Sequence, residues 1–416
     1  MPARRTRPLV LVILTALVGG LALIALGVWL GARHPSALPG PVERALVGPR
    51  SDRVVEEALD QVGSTYYRKI PRSQLRDDAI AGIVAKLQDR FSNYFTPAEY
   101  KHFKDQQDSS FTGVGITVSP DPRGLRVQKV FDGSPAKRAG IVAGDVITAS
   151  NGHSLKGLNT DRASTLIKGP AGSDVQLTFD HAGKSRTETL TRSAISVPVV
   201  ASTLREVCGK KVGVVALSQF SSGAHAEVYA ALQRLKARGA QAFVFDLREN
   251  GGGLVDEAQL IASAFLPDGK IVTTRGRNVP SRTLNATGQP IVPKAPLVVL
   301  VDRGTASASE IVAGALQDRG RAKLVGTRTF GKGVFQEVIE LSNGGALDIT
   351  AGQYFTPNGR NLGGRGVVQG RDVSRGVGLR PDIAVATNFR SKTDEQLRTG
   401  LDAVAGCARA ARSAAG

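Results

Sequence analysis

The sequence predicts a multi-domain α/β protein, and three observations carry that expectation. Apolar strand-like runs at 212–220, 242–247, 297–301 and 323–326 alternate with helical stretches at 225–237, 254–264 and 309–317, which is the order of an α/β core. Residues 110–193 have a different rhythm of short strands and glycine turns and are set apart as a module of their own. Residues 9–32 contain no charged side chain.

Taken in order, the uncharged run at 9–32 is preceded by a short tail, residues 1–8, with Arg4, Arg5 and Arg7. At ~1.5 Å per helical residue the run exceeds the ~30 Å hydrocarbon thickness of a bilayer, so it is expected to be a transmembrane signal-anchor. The arginines keep the tail cytoplasmic and send everything after Arg33 across the membrane. A cleaved secretory signal is the competing reading, although no clean A-x-A site follows. Both readings place the remaining chain outside the cytoplasm. Residues 33–50 are polar and contain proline, as a linker would. In residues 51–109 helical spacing dominates, with one apolar stripe through Val54, Val55, Ala58, Leu59 and Val62 and another through Ala79, Ile80, Ile83, Val84 and Leu87.

In the module at 110–193, Phe111-Thr112-Gly113-Val114-Gly115-Ile116 runs from a glycine-containing loop into a strand. Ser134-Pro135 reads as an N-cap and first turn of a short helix, and Asn151-Gly152 is a hairpin signal. This ordered set resembles a PDZ domain. The resemblance implies that backbone N–H groups of Gly113, Val114, Gly115 and Ile116 bind a terminal carboxylate and that a substrate tail adds a strand to the sheet edge. It also implies a helix at about 161–168 as the other wall of the groove.

Ser307 and Lys332 are the pair of side chains that point most directly to chemistry. A serine hydroxyl becomes nucleophilic when a neighbouring base takes its proton, and a lysine serves as that base only in its neutral form, which burial favours. Lys332 lies between two glycines in the apolar stretch Thr329-Phe330-Gly331-Lys332-Gly333-Val334-Phe335-Gln336, where backbone can pack closely around it. Each residue also has a plainer reading. Ser307-Ala308-Ser309-Glu310 has the pattern of a capping box, and Gly-Lys-Gly that of a turn with a solvated lysine. Gly251-Gly252-Gly253 follows a buried-strand run and lets main chain approach a substrate, as an oxyanion site requires, or else it is a flexible strand-to-helix connection.

Together with Asp246-Leu247-Arg248-Glu249-Asn250 upstream, these segments resemble the C-terminal processing peptidases, also called tail-specific proteases, from about residue 52 to about 385. The resemblance implies Ser307 as nucleophile, Lys332 as general base and Gln336 as the residue that orients the lysine, with Gly252, Gly253 and Ala308 as oxyanion donors. It implies a crotonase-like serine protease core at 194–390 with the PDZ domain inserted before it, closing β segments at 345–350, 354–359 and 379–382, and a C-terminal helix in 391–416. In that family the N-terminal helical region often contributes to dimer contacts, so a homo-oligomer is one expectation and packing within the monomer the other. Thr305 stands where the family usually has serine, a harmless change if it only lines a turn. Glu310, Asp318 and Thr329 fall where the family has residues that support activity, and for these a cap or salt bridge is the expected role. Residues 369–378 lengthen the connection before Leu379.

Lysine and arginine outnumber aspartate and glutamate by 54 to 36, a net charge of +18. No basic helix or aromatic-interleaved strand of the nucleic-acid-binding kinds accompanies that charge, so anionic lipid headgroups or wall polymers are the expected attraction. The five histidines show no metal-ligand spacing, and neither a metal nor a cofactor is expected. Cys208 and Cys407 lie in a disulfide-permissive compartment and read equally as a bridge or as two buried thiols. The sequence therefore predicts a membrane-anchored serine endopeptidase acting on proteins with exposed C-terminal tails. An inactive carboxylate-binding PDZ scaffold is the alternative. An acyl-CoA enzyme on the same core type would have little use for a tail-binding module outside the cytoplasm.

Overall fold

The computed structural model describes residues 50–363, 378–387 and 393–407. The expected anchor at 9–32, the flanking tail and linker up to residue 49 and nearly all of the 369–378 connection lie outside them. No helix among the described residues is long and apolar enough to cross a membrane. The chain divides into two units at Ile83. In the first, α1 (Arg50–Thr65) is followed by α2 (Arg72–Ala85), whose last residues belong to the second unit. Arg72 pairs with Glu56 at 2.6 Å and with Asp60. The predicted stripe on α1 is not a buried one: Val54, Val55 and Val62 are exposed.

The second unit begins its regular structure with β1 (Asn93–Phe95) and α3 (Pro97–Gln107), the latter started by a Thr96/Glu99 capping box. The module follows as β2 (Ser110–Gly113), β3 (Ile116–Asp121), β4 (Gly124–Val130), α4 (Pro135–Arg138), β5 (Val146–Ser150), β6 (His153–Ser154), α5 (Thr160–Ile167), β7 (Asp174–His181), β8 (Lys184–Thr191) and β9 (Ser193–Ser196). Its sheet runs β3-β4-β5-β7-β8 with β6 beside β5, around Leu125, Ile141, Ile147, Leu177 and Phe179. Ser134 caps α4 as expected, and Asn151 and Gly152 both take positive φ at the β5–β6 turn. Residues 111–113, which read as a loop, are a strand. Their partner is β9, where the chain leaves the module, and a pairing between segments so distant in sequence has no local signature.

The remaining elements are β10 (Val200–Val207), β11 (Lys210–Leu217), α6 (Ala224–Ala237), β12 (Ala242–Asp246), α7 (Val255–Ser263), β13 (Lys270–Gly276), β14 (Arg282–Asn285), β15 (Leu297–Val301), α8 (Ala308–Asp318), β16 (Lys323–Gly326), β17 (Val334–Glu340), β18 (Ala346–Phe355), β19 (Ile383–Ala384) and α9 (Glu395–Ala405). The central sheet is ordered β10-β11-β12-β15-β16-β19, antiparallel at its first pair and parallel thereafter. Helices bury both of its faces, which explains why its strands read as continuous apolar runs. Phe243, Phe245 and Val299 face a large core shared with α6, α7 and α8, while Val244, Val298 and Leu300 face α9. A second sheet, β1-β18-β13-β14 with β17 beside β18, takes its β1 strand from before the module.

The cysteines form a disulfide across a Cα separation of 6.0 Å, joining the β10–β11 turn to the residue that follows the Gly406 C-cap of α9. This closes the choice that the sequence left open. Asp394 and Gln396 at the other end of α9 both bond Arg248, which also pairs with Asp246 at the end of β12.

Candidate active site

The parallel strands β12 and β15 end in two loops that meet. Asp302 Oδ1 accepts the N–H groups of Glu249 and Thr305, at 3.0 and 3.1 Å. Thr305 donates its hydroxyl to Leu247 O at 2.8 Å, so this residue lines and braces the turn. The Ala306 N–H bonds Asn250 O and the Ser309 hydroxyl bonds the same oxygen, completing the seam. Ser307 sits on this turn at the N-cap position of α8 with φ 55° and ψ −118°. That conformation is rare for a residue with a side chain, and such strain persists only where surroundings over-determine it.

Glu310, which the sequence offered as half of a capping box, does more than cap. Its buried carboxylate accepts the Ser307 N–H at 3.1 Å and the Lys332 N–H at 2.9 Å on one oxygen, which bounds the separation of those two main-chain nitrogens by the sum of the two lengths. The other oxygen accepts the Gly331 N–H at 2.8 Å and the Thr329 hydroxyl. Burial pushes the Glu310 carboxyl upward against the pull of these four donors. The structural roles expected of Glu310, Thr329 and Asp318 agree with their contacts: Thr329 also accepts the Leu379 N–H at 2.7 Å, and Asp318 holds Arg360 and the Asn358 N–H.

Lys332 is partly buried, and among the described residues its amine donates no hydrogen bond. Burial holds it below the ordinary lysine range, opposed by Asp348, Asp89 and Glu310 and assisted by Arg90. Gln336 lies on β17, and its amide donates to Thr350 Oγ1 at 3.2 Å.

Gly252 is held against the serine turn. A methyl group there would lie 2.7 Å from Ala306 O and 2.8 Å from Ser307 Cβ, and its φ is +100°, so only glycine fits. Its N–H donates to Asn250 Oδ1 at 2.9 Å. The N–H groups of Gly253 and Ala308 have no hydrogen bond among the described residues, and Gly253 is exposed.

In the module, residues 111–116 face Ser164, Ile167 and Lys168 across one pocket, which puts Gly113, Val114, Gly115 and Ile116 on the wall opposite α5. The carbonyls of Val114 and Gly115 are taken by the Ala136 and Phe131 N–H groups. Gly115 has φ +82°, and a methyl group there would meet Ser134 Cβ at 2.2 Å. Among the described residues no group of three or more His, Cys, Asp or Glu is placed to hold a metal ion.

The chain thus joins an α/β core, with a strained serine at a helix start and a partly buried lysine on the adjoining segment, to a module that carries a groove. The sequence pattern of peptidase family S41 matches residues 211–384, and that of the PDZ domain matches 112–191. A carboxyl-terminal-processing protease of Picosynechococcus sp. is 35% identical over 391 residues, covering 87% of this chain and 91% of the relative. One of Synechocystis sp. is 37% identical over 333 residues, covering 79% and 76%. The solved structure of a photosystem II D1 C-terminal processing protease is 29% identical with a TM-score of 0.49, over 86% of this chain and 99% of that one. The chain belongs to peptidase family S41, as a carboxyl-terminal-processing serine protease with a PDZ domain.

Proposed function

We propose that the chain is a membrane-anchored endopeptidase in which Ser307 is the nucleophile and Lys332 the general base, and that its PDZ groove captures a substrate's free C-terminus. The observation that carries this reading is the single Glu310 oxygen bonded to the backbone of both residues. In the proposed cycle the neutral Lys332 amine takes the Ser307 proton as Oγ bonds to the scissile carbonyl carbon. The ammonium then gives that proton to the departing amine as the C–N bond breaks, leaving an ester on Ser307. The amine, neutral again, takes a proton from water as its oxygen attacks the ester, and that proton returns to Ser307 Oγ as the acid product leaves. The negative charge on the carbonyl oxygen faces the Gly253 and Ala308 N–H groups, while Gly252 permits the close approach; each such donor contributes ~2.7–4 kcal/mol at the transition state. Gln336, whose amide donates to Thr350 Oγ1, is read as the residue that orients Lys332. The core is read as crotonase-like, and the exposed apolar face of α1 as a contact between copies of the chain.

Ser307→Ala, Lys332→Ala and Lys332→Arg are each expected to lower kcat/KM on an unfolded, tailed protein by at least about 1,000-fold without loss of fold, because nucleophile and base act as a unit and a guanidinium stays protonated. Turnover near wild type in any of them would refute the dyad, and silence of the wild-type chain on every tailed substrate would favour the scaffold reading. The anchor at 9–32 predicts fractionation with membranes and an extracytoplasmic reporter after Arg33; a soluble form beginning near residue 40 would show a cleaved signal instead.

A further inference from the structure

One wall of the lysine site comes from residues 89–93, a strap that precedes the PDZ module and lies outside the 194–390 core. It is fastened at several points. Asp89 accepts the Phe91 N–H at 3.0 Å and the Ser92 hydroxyl at 2.7 Å. Ser92 is buried and its hydroxyl accepts the Thr350 N–H at 3.0 Å, while Asn93 pairs with Asp348 in the β1–β18 register. Held this way, the Phe91 ring lies 5.1 Å from Lys332 Nζ. The Arg90 guanidinium covers the same ring at 4.7 Å and Phe330 at 5.1 Å. Thr350 joins this wall to Gln336, whose amide it accepts.

We propose that residues 89–93 are a positioning element for Lys332, in which the Phe91 ring walls the amine while Arg90, stacked on that ring, and Asp89, bonded to the Phe91 N–H, bring opposite charges to its surroundings. The proposal rests on the reading of Lys332 as base only for its consequence on rate. The charged groups acting on the amine are Asp348 on β18, Asp89 and Arg90 on the strap, and Glu310 on α8. Burial pushes Asp348 and Glu310 upward. Burial acts on Asp89 in the same sense, but the bonds from Ser92, Thr350 and Phe91 and the Lys332 charge hold it below the usual carboxylate range. A nearby anion raises a lysine's proton affinity and a nearby cation lowers it.

The test uses the full-length chain with Asp89→Asn and Arg90→Gln. For each, kcat/KM is followed against pH, and in a Ser307→Ala background the acetylation rate of Lys332 by acetic anhydride is followed against pH by mass spectrometry. Asp89→Asn is expected to move both profiles to lower pH and Arg90→Gln to move both to higher pH. A strap that merely supported the fold would lower the plateau and move neither. Acetylation profiles that stay in place, or that move the same way in both variants, overturn the proposal. Acetylation profiles that move oppositely while the kcat/KM limb stays fixed uphold the strap and refute Lys332 as the base.

Discussion

Burial acts on Lys332 and Glu310 in the same sense, toward the neutral form of each. Because the general base proposed for this site must be neutral, kcat/KM is expected to rise with pH along a limb that lies below the ordinary lysine range, since burial lowers the Lys332 proton affinity. The stability consequence has a definite sign. Between its folded and unfolded pKa values the unfolded lysine binds more protons, so this group adds stability as pH rises through that window and subtracts it below. Lys332→Met should therefore abolish cleavage and raise the thermal midpoint at neutral pH; an unchanged or lower midpoint would contradict the burial argument. Glu310→Gln leaves one carbonyl oxygen where the carboxylate had two for four donors. Leaving a buried donor unmet costs ~1–3 kcal/mol, which denaturant unfolding would read, and the paired serine and lysine segments would lose their tie.

At the scale of elements, α9 is pinned at both ends, by the disulfide beyond its last turn and by Arg248 at its first. Cys208→Ser is expected to cost about 2–5 kcal/mol in non-reducing denaturant unfolding. A loss below 0.5 kcal/mol, on the order of an ordinary surface substitution, would show that α9 packing alone holds it. What could be read in advance also divides by element. Strands β11, β12, β15 and β16 were visible because burial on both faces leaves an uninterrupted apolar run, and Ser134 and Asn151-Gly152 because capping and turn chemistry are local. Ser307, Lys332 and the glycines were visible through resemblance to a family. The Glu310 link, the β2–β9 ribbon and the strap on β18 join residues far apart in the chain, and no local pattern specifies which distant N–H a carboxylate will meet. That Gly252 gives its own N–H to Asn250 was equally beyond a reading of three successive glycines.

For the whole molecule, the claim is that binding of a tail in one domain serves bond cleavage in another. Energy collected at a free carboxylate far from the scissile bond can position the chain, and a differential of only ~1–3 kcal/mol between arrangements changes activity about 5- to 150-fold. The Gly115 position separates the two events, since a side chain there collides with Ser134 and none of the atoms nearest to it belongs to the Ser307 turn. The most direct measurement is kcat/KM for one unfolded substrate with a free C-terminus and for the same substrate amidated, in the wild-type chain and in Gly115→Val. Capture of the tail predicts slower cleavage of the amide by the wild type and equal cleavage of both forms by Gly115→Val. Equal rates on both forms in the wild type would contradict it, leaving the PDZ domain without a part in reading the C-terminus.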